Sequence, residues 1–340
     1  MTLSGHTLAL EEEARTSARR IFALISHELE EVEAEFERQA SSNVQVIAYL
    51  GDYLRRSGGK RVRPALTILS NYAVGGEGGG YNSIRMATVM EFLHTATLVH
   101  DDIIDKADTR RNRPTVNALY GNDTAVLMGD WLYMSAFETS LSERSLAILD
   151  ILTYVTRKMT EGELLQLTTL GCADVSEAHY LDVLKRKTAY LFSASCEIGA
   201  ILGGADEEKQ KAMREYGLKL GTAFQLTDDL LDFTASEEVL GKAAGADLLG
   251  GKVTLPLILL LAENPGATDM IQNVLSDGTY DRVAQQDLFD LVIKSGALEA
   301  TRARAREYAE AAQNALDVLP ASPYLVALKA LPAYVLDRDR

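Results

Sequence analysis

Proline is scarce in the middle of this 340-residue chain: none of its seven prolines falls between Pro114 and Pro256. That span therefore lacks the residue that most strongly breaks helices. It is instead rich in Ala, Leu, Met, Glu, Lys and Gln, which favour them. Sustained polar/apolar alternation is missing, and so is any Asn-Gly hairpin pair, which argues against sheet. Only two cysteines occur, Cys172 and Cys196. They form no disulfide framework and lack zinc-ligand spacing, so both are expected to be small buried residues in a reducing compartment. Basic residues are outnumbered, 34 against 49 acidic, for a net charge of −15. That balance excludes the basic face of a nucleic-acid binder and a constitutive polybasic membrane anchor. The longest continuous apolar run, "LPLILLLA", is far short of the roughly 18–20 residues that span a bilayer. The polar, acidic N-terminus does not read as a signal peptide. A cytoplasmic protein without a transmembrane segment is expected.

What is present reads as helix. In "RSLAILDILTYVTRKMTEGELLQL" (144–167) aliphatic residues recur at three- and four-residue steps. Glycine- and Asn/Asp-rich breaks separate such segments, and none resembles a long interdomain linker. The expectation is all-α, one large helical domain over residues 1–340.

Two acidic clusters interrupt the apolar text. "MEFLHTATLV" runs into "HDDIID" (100–105), and "TDDLLD" (227–232) repeats the same D-D-x-x-D spacing. On a helix, residues i and i+4 share a face. Asp101 and Asp105 therefore stack, with Asp102 close by, and Asp228, Asp229 and Asp232 do likewise. Three carboxylates on one turn repel one another and lose hydration where they are buried, so each cluster calls for a cation. An all-oxygen donor set suits Mg²⁺, which takes one or two carboxylates and completes its shell with water and substrate phosphate. The EF-hand loop pattern is absent, and no His or Cys completes a zinc site. A solvated acidic helix face would explain one cluster but explains two matching ones poorly.

Metal held by carboxylates implies an anionic substrate, and candidate cations flank the clusters. "GGKRVRP" (58–64) carries Lys60, Arg61 and Arg63 behind two glycines that allow close backbone approach. It lacks the spacing of a Walker A loop. "TRRNRP" (109–114) carries Arg110 and Arg111, "KRKT" (185–188) carries Lys187, and Lys242 and Lys252 bracket "GKAAGADLLGGK". Such groups hold phosphate through charge-assisted hydrogen bonds.

Taken in order, "GGKRVRP", "EFLHTATLVHDDIID", "DTRRNRPT", "GDWL", "KT", "FQLTDDLLD" and "GKAAGADLLGGKVTLPLI" resemble the trans-isoprenyl (polyprenyl) diphosphate synthases over essentially the whole chain. The resemblance implies the isoprenoid synthase fold, helices surrounding a deep central cavity, and a homodimer. It implies about three Mg²⁺ ions per site: Asp101 and Asp105, with Asp102 alongside, would bind ions that bridge the allylic diphosphate. Asp228, Asp229 and Asp232 would hold a further ion, with Asp228 its closest ligand. By the same resemblance Lys60, Arg63, His94 and Arg111 hold isopentenyl diphosphate without metal. Arg110, Lys187, Lys242 and Lys252 grip the allylic prenyl diphosphate, farnesyl or geranylgeranyl. Thr188 and Gln225 line the reacting carbons, and a C-terminal basic residue, Arg338 or Arg340, folds over the site. Release of a long product implies transient membrane contact.

Short-chain members usually carry bulky aromatics one turn before the first aspartate. Here Ala96 and Thr97 stand there, so a deeper floor is expected, at Leu93, Met90, Phe137 or Trp131, and a product of about six to ten isoprene units suited to a quinone side chain. A terpene cyclase normally replaces the second D-D-x-x-D with an Asn/Asp-Ser/Thr-Glu triad and lacks "GGKRVRP". A non-catalytic partner subunit loses an aspartate motif or the basic set, and this chain keeps both.

Overall fold

The computed structural model describes residues 19–40, 47, 61–110, 113–235 and 244–337. Helices α1 (Ser26–Gln39), α2 (Val62–Ala73) and α3 (Tyr81–Ile104) open the described fold. A two-residue antiparallel pair follows, β1 (Thr109–Arg110) with β2 (Arg113–Pro114), in which Arg110 faces Arg113. This ribbon departs from the all-helical expectation only locally. Then come α4 (Val116–Tyr120), α5 (Asn122–Leu141), α6 (Leu146–Thr169), α7 (Glu177–Leu184), a π-helical turn (Lys185–Ala189), α8 (Tyr190–Leu202) and α9 (Glu207–Thr234). The C-terminal part holds α10 (Ala246–Leu249), α11 (Leu255–Glu263), α12 (Thr268–Asp277), α13 (Gln285–Lys294), α14 (Ala297–Ala315) and α15 (Pro323–Leu336).

The helix starts follow local chemistry. Ser145, Ser176, Asp206 and Ser322 each accept a hydrogen bond from a backbone N–H three residues on, at the heads of α6, α7, α9 and α15. Pro256 sits in the first turn of α11, where its missing N–H costs nothing. α3 is apolar on nearly all sides and is packed by α1, α2, α5 and α8. α9 lies between α8 and α14. Both D-D-x-x-D motifs thus sit near the C-terminal ends of helices surrounded by others. Among the described residues three buried apolar clusters hold the assembly. One joins α2, α8, α9 and α15, a second joins α3, α5, α6 and α8, and a third gathers α9 with α11 to α14. No helix among the described residues is long and apolar enough to cross a membrane. Cys196 is buried as expected, whereas Cys172, in the turn after α6, is exposed.

Candidate active site

A cavity of about 1330 Å³ opens where α3 and α9 end. α3 stops in a Schellman turn: Lys106 takes a left-handed conformation (φ 51°), its N–H donates to the Ile103 carbonyl, and the Ala107 N–H donates to the Asp102 carbonyl at 2.9 Å. This stop leaves Asp101 and Asp105 on the cavity wall. Asp102 does not share it. It is buried, and its Oδ1 accepts from Arg110 Nε at 2.8 Å. Burial, with Glu163 and Asp105 adding repulsion against the pull of Lys187 and Arg110, pushes the Asp101 carboxyl up to about 7.

The second motif divides further. Asp228 lies on the cavity wall. Asp229 is spoken for at both oxygens: Oδ2 accepts from the Tyr180 hydroxyl and Oδ1 from Gln225 Nε2 at 3.0 Å. Burial and the Asp247 charge push its carboxyl up to about 7 against those two donors. Gln225 in turn accepts from Thr188 Oγ1 at 2.9 Å. Asp232 is wholly buried and off the cavity. Its Oδ2 accepts from the Asp247 N–H at 3.2 Å, and its carbonyl accepts from the Gly245 N–H at 2.9 Å, docking the loop that carries Lys252. Asp101, Asp105 and Asp228, the expected metal ligands, thus line the cavity together with Asp229, whereas Asp102 and Asp232 do not. Helix periodicity relates the aspartates to one another, but the packing partners decide which of them meets the cavity.

Among the expected cations, Arg63, Arg110, Lys187 and Lys252 line the cavity, as does His94, two turns before Asp101. The Arg63 guanidinium stands over the Phe192 ring, 4.8 Å from its centroid. Lys187 sits in the π-helical turn, where its ammonium donates to Gln166 Oε1 at 3.0 Å and pairs with Glu163. Such turns recur at functional sites. Lys252 Nζ lies 2.8 Å from Asp105 Oδ2. Lys60, Arg111, Lys242, Arg338 and Arg340 lie outside the described residues. Arg61, by contrast, pairs with Glu33 and Glu91.

Glu163, Gln166 and Tyr180 also meet the cavity, and no sequence expectation singled them out. A polar Glu-x-x-Gln step in the apolar text of α6 was the available signal for the first two. Tyr180 gave none. Away from the charged groups the wall is made by Thr97, Tyr133, Met159 and Leu164. Ala96, Leu93 and Met90 are instead buried in the α3–α5–α6–α8 cluster, and Trp131 and Phe137 pack against it. The expected floor residues thus lie behind the wall, because they fall on the side of α3 and α5 where the helices touch each other.

Among the described residues no three His, Cys, Asp or Glu side chains converge tightly enough to enclose a metal ion. The donor set nevertheless fits a hard divalent cation. Asp101 and Asp105 on one helix and Asp228 on another offer carboxylate oxygens only, with coordination sites left for water and phosphate. A cation there would also offset the burial, and the repulsion from Glu163 and Asp105, that raise Asp101.

The polyprenyl synthetase family model matches residues 44–292. The chain belongs to that family. Octaprenyl diphosphate synthase of Escherichia coli (strain K12) is 41% identical over 322 residues, covering 94% of this chain and 99% of the relative. The geranyl-diphosphate-specific all-trans-nonaprenyl-diphosphate synthase of Rhodobacter capsulatus is 39% identical over 299 residues, covering 88% and 91%. The solved polyprenyl synthase of Caulobacter crescentus CB15, complexed with calcium and isoprenyl diphosphate, superposes with a TM-score of 0.90 at 36% identity, covering 95% of this chain and 98% of that one. The isoprenoid synthase fold is therefore the fold of this chain, and a divalent cation accompanies a member of its family.

Proposed function

We propose that this polyprenyl synthetase is a medium- to long-chain trans-prenyltransferase. It condenses isopentenyl diphosphate head-to-tail with an allylic diphosphate to give an all-trans product of about six to ten isoprene units. The observation that carries the reading is that Asp101, Asp105 and Asp228 share one cavity with Lys187, Lys252 and an apolar wall. At about 1330 Å³ the cavity exceeds the roughly 300–1,000 Å³ of ordinary small-molecule sites. The full-length likeness to octaprenyl and nonaprenyl synthases supports the length.

In this reading Arg63 and His94 hold the isopentenyl diphosphate. Arg110, Lys187 and Lys252 grip the allylic diphosphate and stabilise the negative charge that grows on it as the allylic C–O bond breaks. Asp101, Asp105 and Asp228 would hold the Mg²⁺ ions, about three per site, whose charge would compensate that of the leaving pyrophosphate. Thr188 and Gln225 stand beside the developing allylic cation. The isopentenyl double bond, held close by its own diphosphate, attacks that cation, and a proton then leaves. The wall of Thr97, Tyr133 and Met159 keeps water from the cation.

A homodimer is part of the proposal. Leu127, Met134 and Leu141 on α5 and Leu146 on α6 are exposed, apolar side chains that a second copy would cover. The test of function is product analysis. Protein with Mg²⁺, isopentenyl diphosphate and farnesyl diphosphate should give a ladder by mass spectrometry that ends at six or more units. A four-unit product would place it among short-chain synthases, and no elongation with any primer would overturn the reading.

A further inference from the structure

A chain of hydrogen bonds crosses three elements beside the reacting region. Thr188, in the π-helical turn, donates to Gln225 Oε1 on α9 at 2.9 Å, and Gln225 Nε2 donates to Asp229 Oδ1 at 3.0 Å. The Tyr180 hydroxyl, on α7, donates to Asp229 Oδ2. Thr188, Gln225, Asp229 and Tyr180 all border the cavity, and both oxygens of the Asp229 carboxylate serve as acceptors. Tyr180 is buried, so its hydroxyl has no bulk water to turn to.

The consequence lies in the amide of Gln225. Its two ends carry opposite partial charges. With Asp229 holding the NH₂ end, the carbonyl end is directed toward Thr188 and the cavity, where an electron-rich oxygen favours a neighbouring cation. Were Asp229 to swing, only the Thr188 hydroxyl would hold the amide, and a hydroxyl accepts from an N–H as readily as it donates to an oxygen, so the amide would be free to turn over. It would then present N–H groups to the cation instead. Tyr180 is the second tether on that carboxylate. A buried acceptor that loses one of its donors is destabilised in that rotamer.

We infer that Tyr180 is a positioning residue for prenyl transfer, acting through Asp229 to keep the Gln225 carbonyl oxygen turned toward the allylic cation. The inference rests on the prenyltransferase reading above. It assigns Asp229 an anchoring role in place of metal binding. Because the diphosphates are held elsewhere, by Arg63, Arg110, Lys187 and Lys252, Tyr180 influences the chemical step and not substrate affinity.

The test is a double-mutant cycle with Tyr180→Phe and Gln225→Leu, at saturating Mg²⁺, with the binding stoichiometry of farnesyl diphosphate measured by calorimetry to count folded sites. Tyr180→Phe should lower kcat per folded site about tenfold. KM for both diphosphates should stay within twofold of wild type. Added to Gln225→Leu, the same substitution should change kcat by less than twofold, since its effect runs through the missing amide. Should Tyr180→Phe not fold, Asp229→Asn is the second variant, and the same split of kcat from KM is expected. Multiplicative losses in the double mutant, a rise in KM at unchanged kcat, or wild-type kcat in the single variant would overturn the assignment. A wild-type protein that fails to elongate any primer would overturn the prenyltransferase reading itself and this inference with it.

Discussion

Lys252 Nζ lies 2.8 Å from Asp105 Oδ2, joining the end of α3 to the loop after α10 across 147 residues of sequence. Burial alone would depress the Lys252 ammonium, but Asp105, with Asp247 and Asp101, outweighs it and holds it above the usual lysine value. The lysine therefore stands where a divalent cation would bind Asp105, and the two compete for one carboxylate.

Competition gives two effects of opposite sign from one substitution. Lys252→Ala should strengthen Mg²⁺ binding in the absence of substrate about two- to fivefold, the scale of a half-exposed ion pair. It should also raise KM for the allylic diphosphate at least about tenfold, through loss of a charge-assisted phosphate contact. Calorimetry with Mg²⁺ alone and steady-state kinetics read the two effects separately. Weaker Mg²⁺ binding in the variant would show that Lys252 does not compete for Asp105.

pH should govern the same cluster. Asp101 and Asp229 both titrate near 7 in the folded, metal-free protein, far above the 3.8 of an ordinary aspartate. A carboxyl raised on folding contributes stability below its unfolded pKa and loses it as pH climbs through the folded one. The metal-free protein should thus lose stability between about pH 4 and pH 7, seen as a falling Tm. Mg²⁺ must displace the Asp101 proton, so its affinity should be about tenfold weaker at pH 6 than at pH 8. Equal affinities at the two pH values would remove Asp101 from the cation site.

Close packing sets the position of Lys187. A Cβ built on Gly162 of α6 would come within 2.7 Å of Arg186 Cβ and 3.1 Å of Lys187 Cγ. Gly162→Ala should therefore push the π-helical turn away from α6 and cost about 1–3 kcal/mol in stability. It should also raise KM for the allylic diphosphate, as Lys187 leaves Gln166 and Glu163. Chemical denaturation and kinetics test both. Unchanged KM alongside lost stability would show that Lys187 tolerates the shift.

Much of the site is legible in the sequence, for an identifiable reason. Asp101, Asp105, Asp228 and His94 sit on helices at spacings that place them on a common side, and helical periodicity can be read in one dimension. Asp102, about 100° round the helix from Asp101, and Asp232, one turn on from Asp228, belong to the same motifs but face away. Arg110 from a ribbon covers the one, and the Gly245–Asp247 loop covers the other. Those partners arrive from elsewhere in the chain, and no local pattern announces them. Tyr180 and Glu163 were missed similarly, because their importance lies in contacts 49 residues away at Asp229 and 24 residues away at Lys187. The two-residue ribbon was invisible because "DTRRNRPT" is too short to carry an alternation.

Product length separates two adjacent small residues. Thr97 lies on the cavity wall, one turn below Asp101, and its hydroxyl donates back to the His94 carbonyl at 2.7 Å. Ala96 is fully buried among the apolar side chains between α3 and α5. A phenyl ring at position 97 projects into the cavity about 6 Å from the aspartates, one helical turn at 1.5 Å per residue. Thr97→Phe should therefore stop elongation early and give products of fewer isoprene units, with folding stability little changed. Ala96→Phe forces the same ring into a packed interface and should cost about 1–3 kcal/mol or more. Product sizing by mass spectrometry and thermal melting of the two variants test this. A wild-type ladder from Thr97→Phe would show that the growing chain leaves the aspartates by another wall.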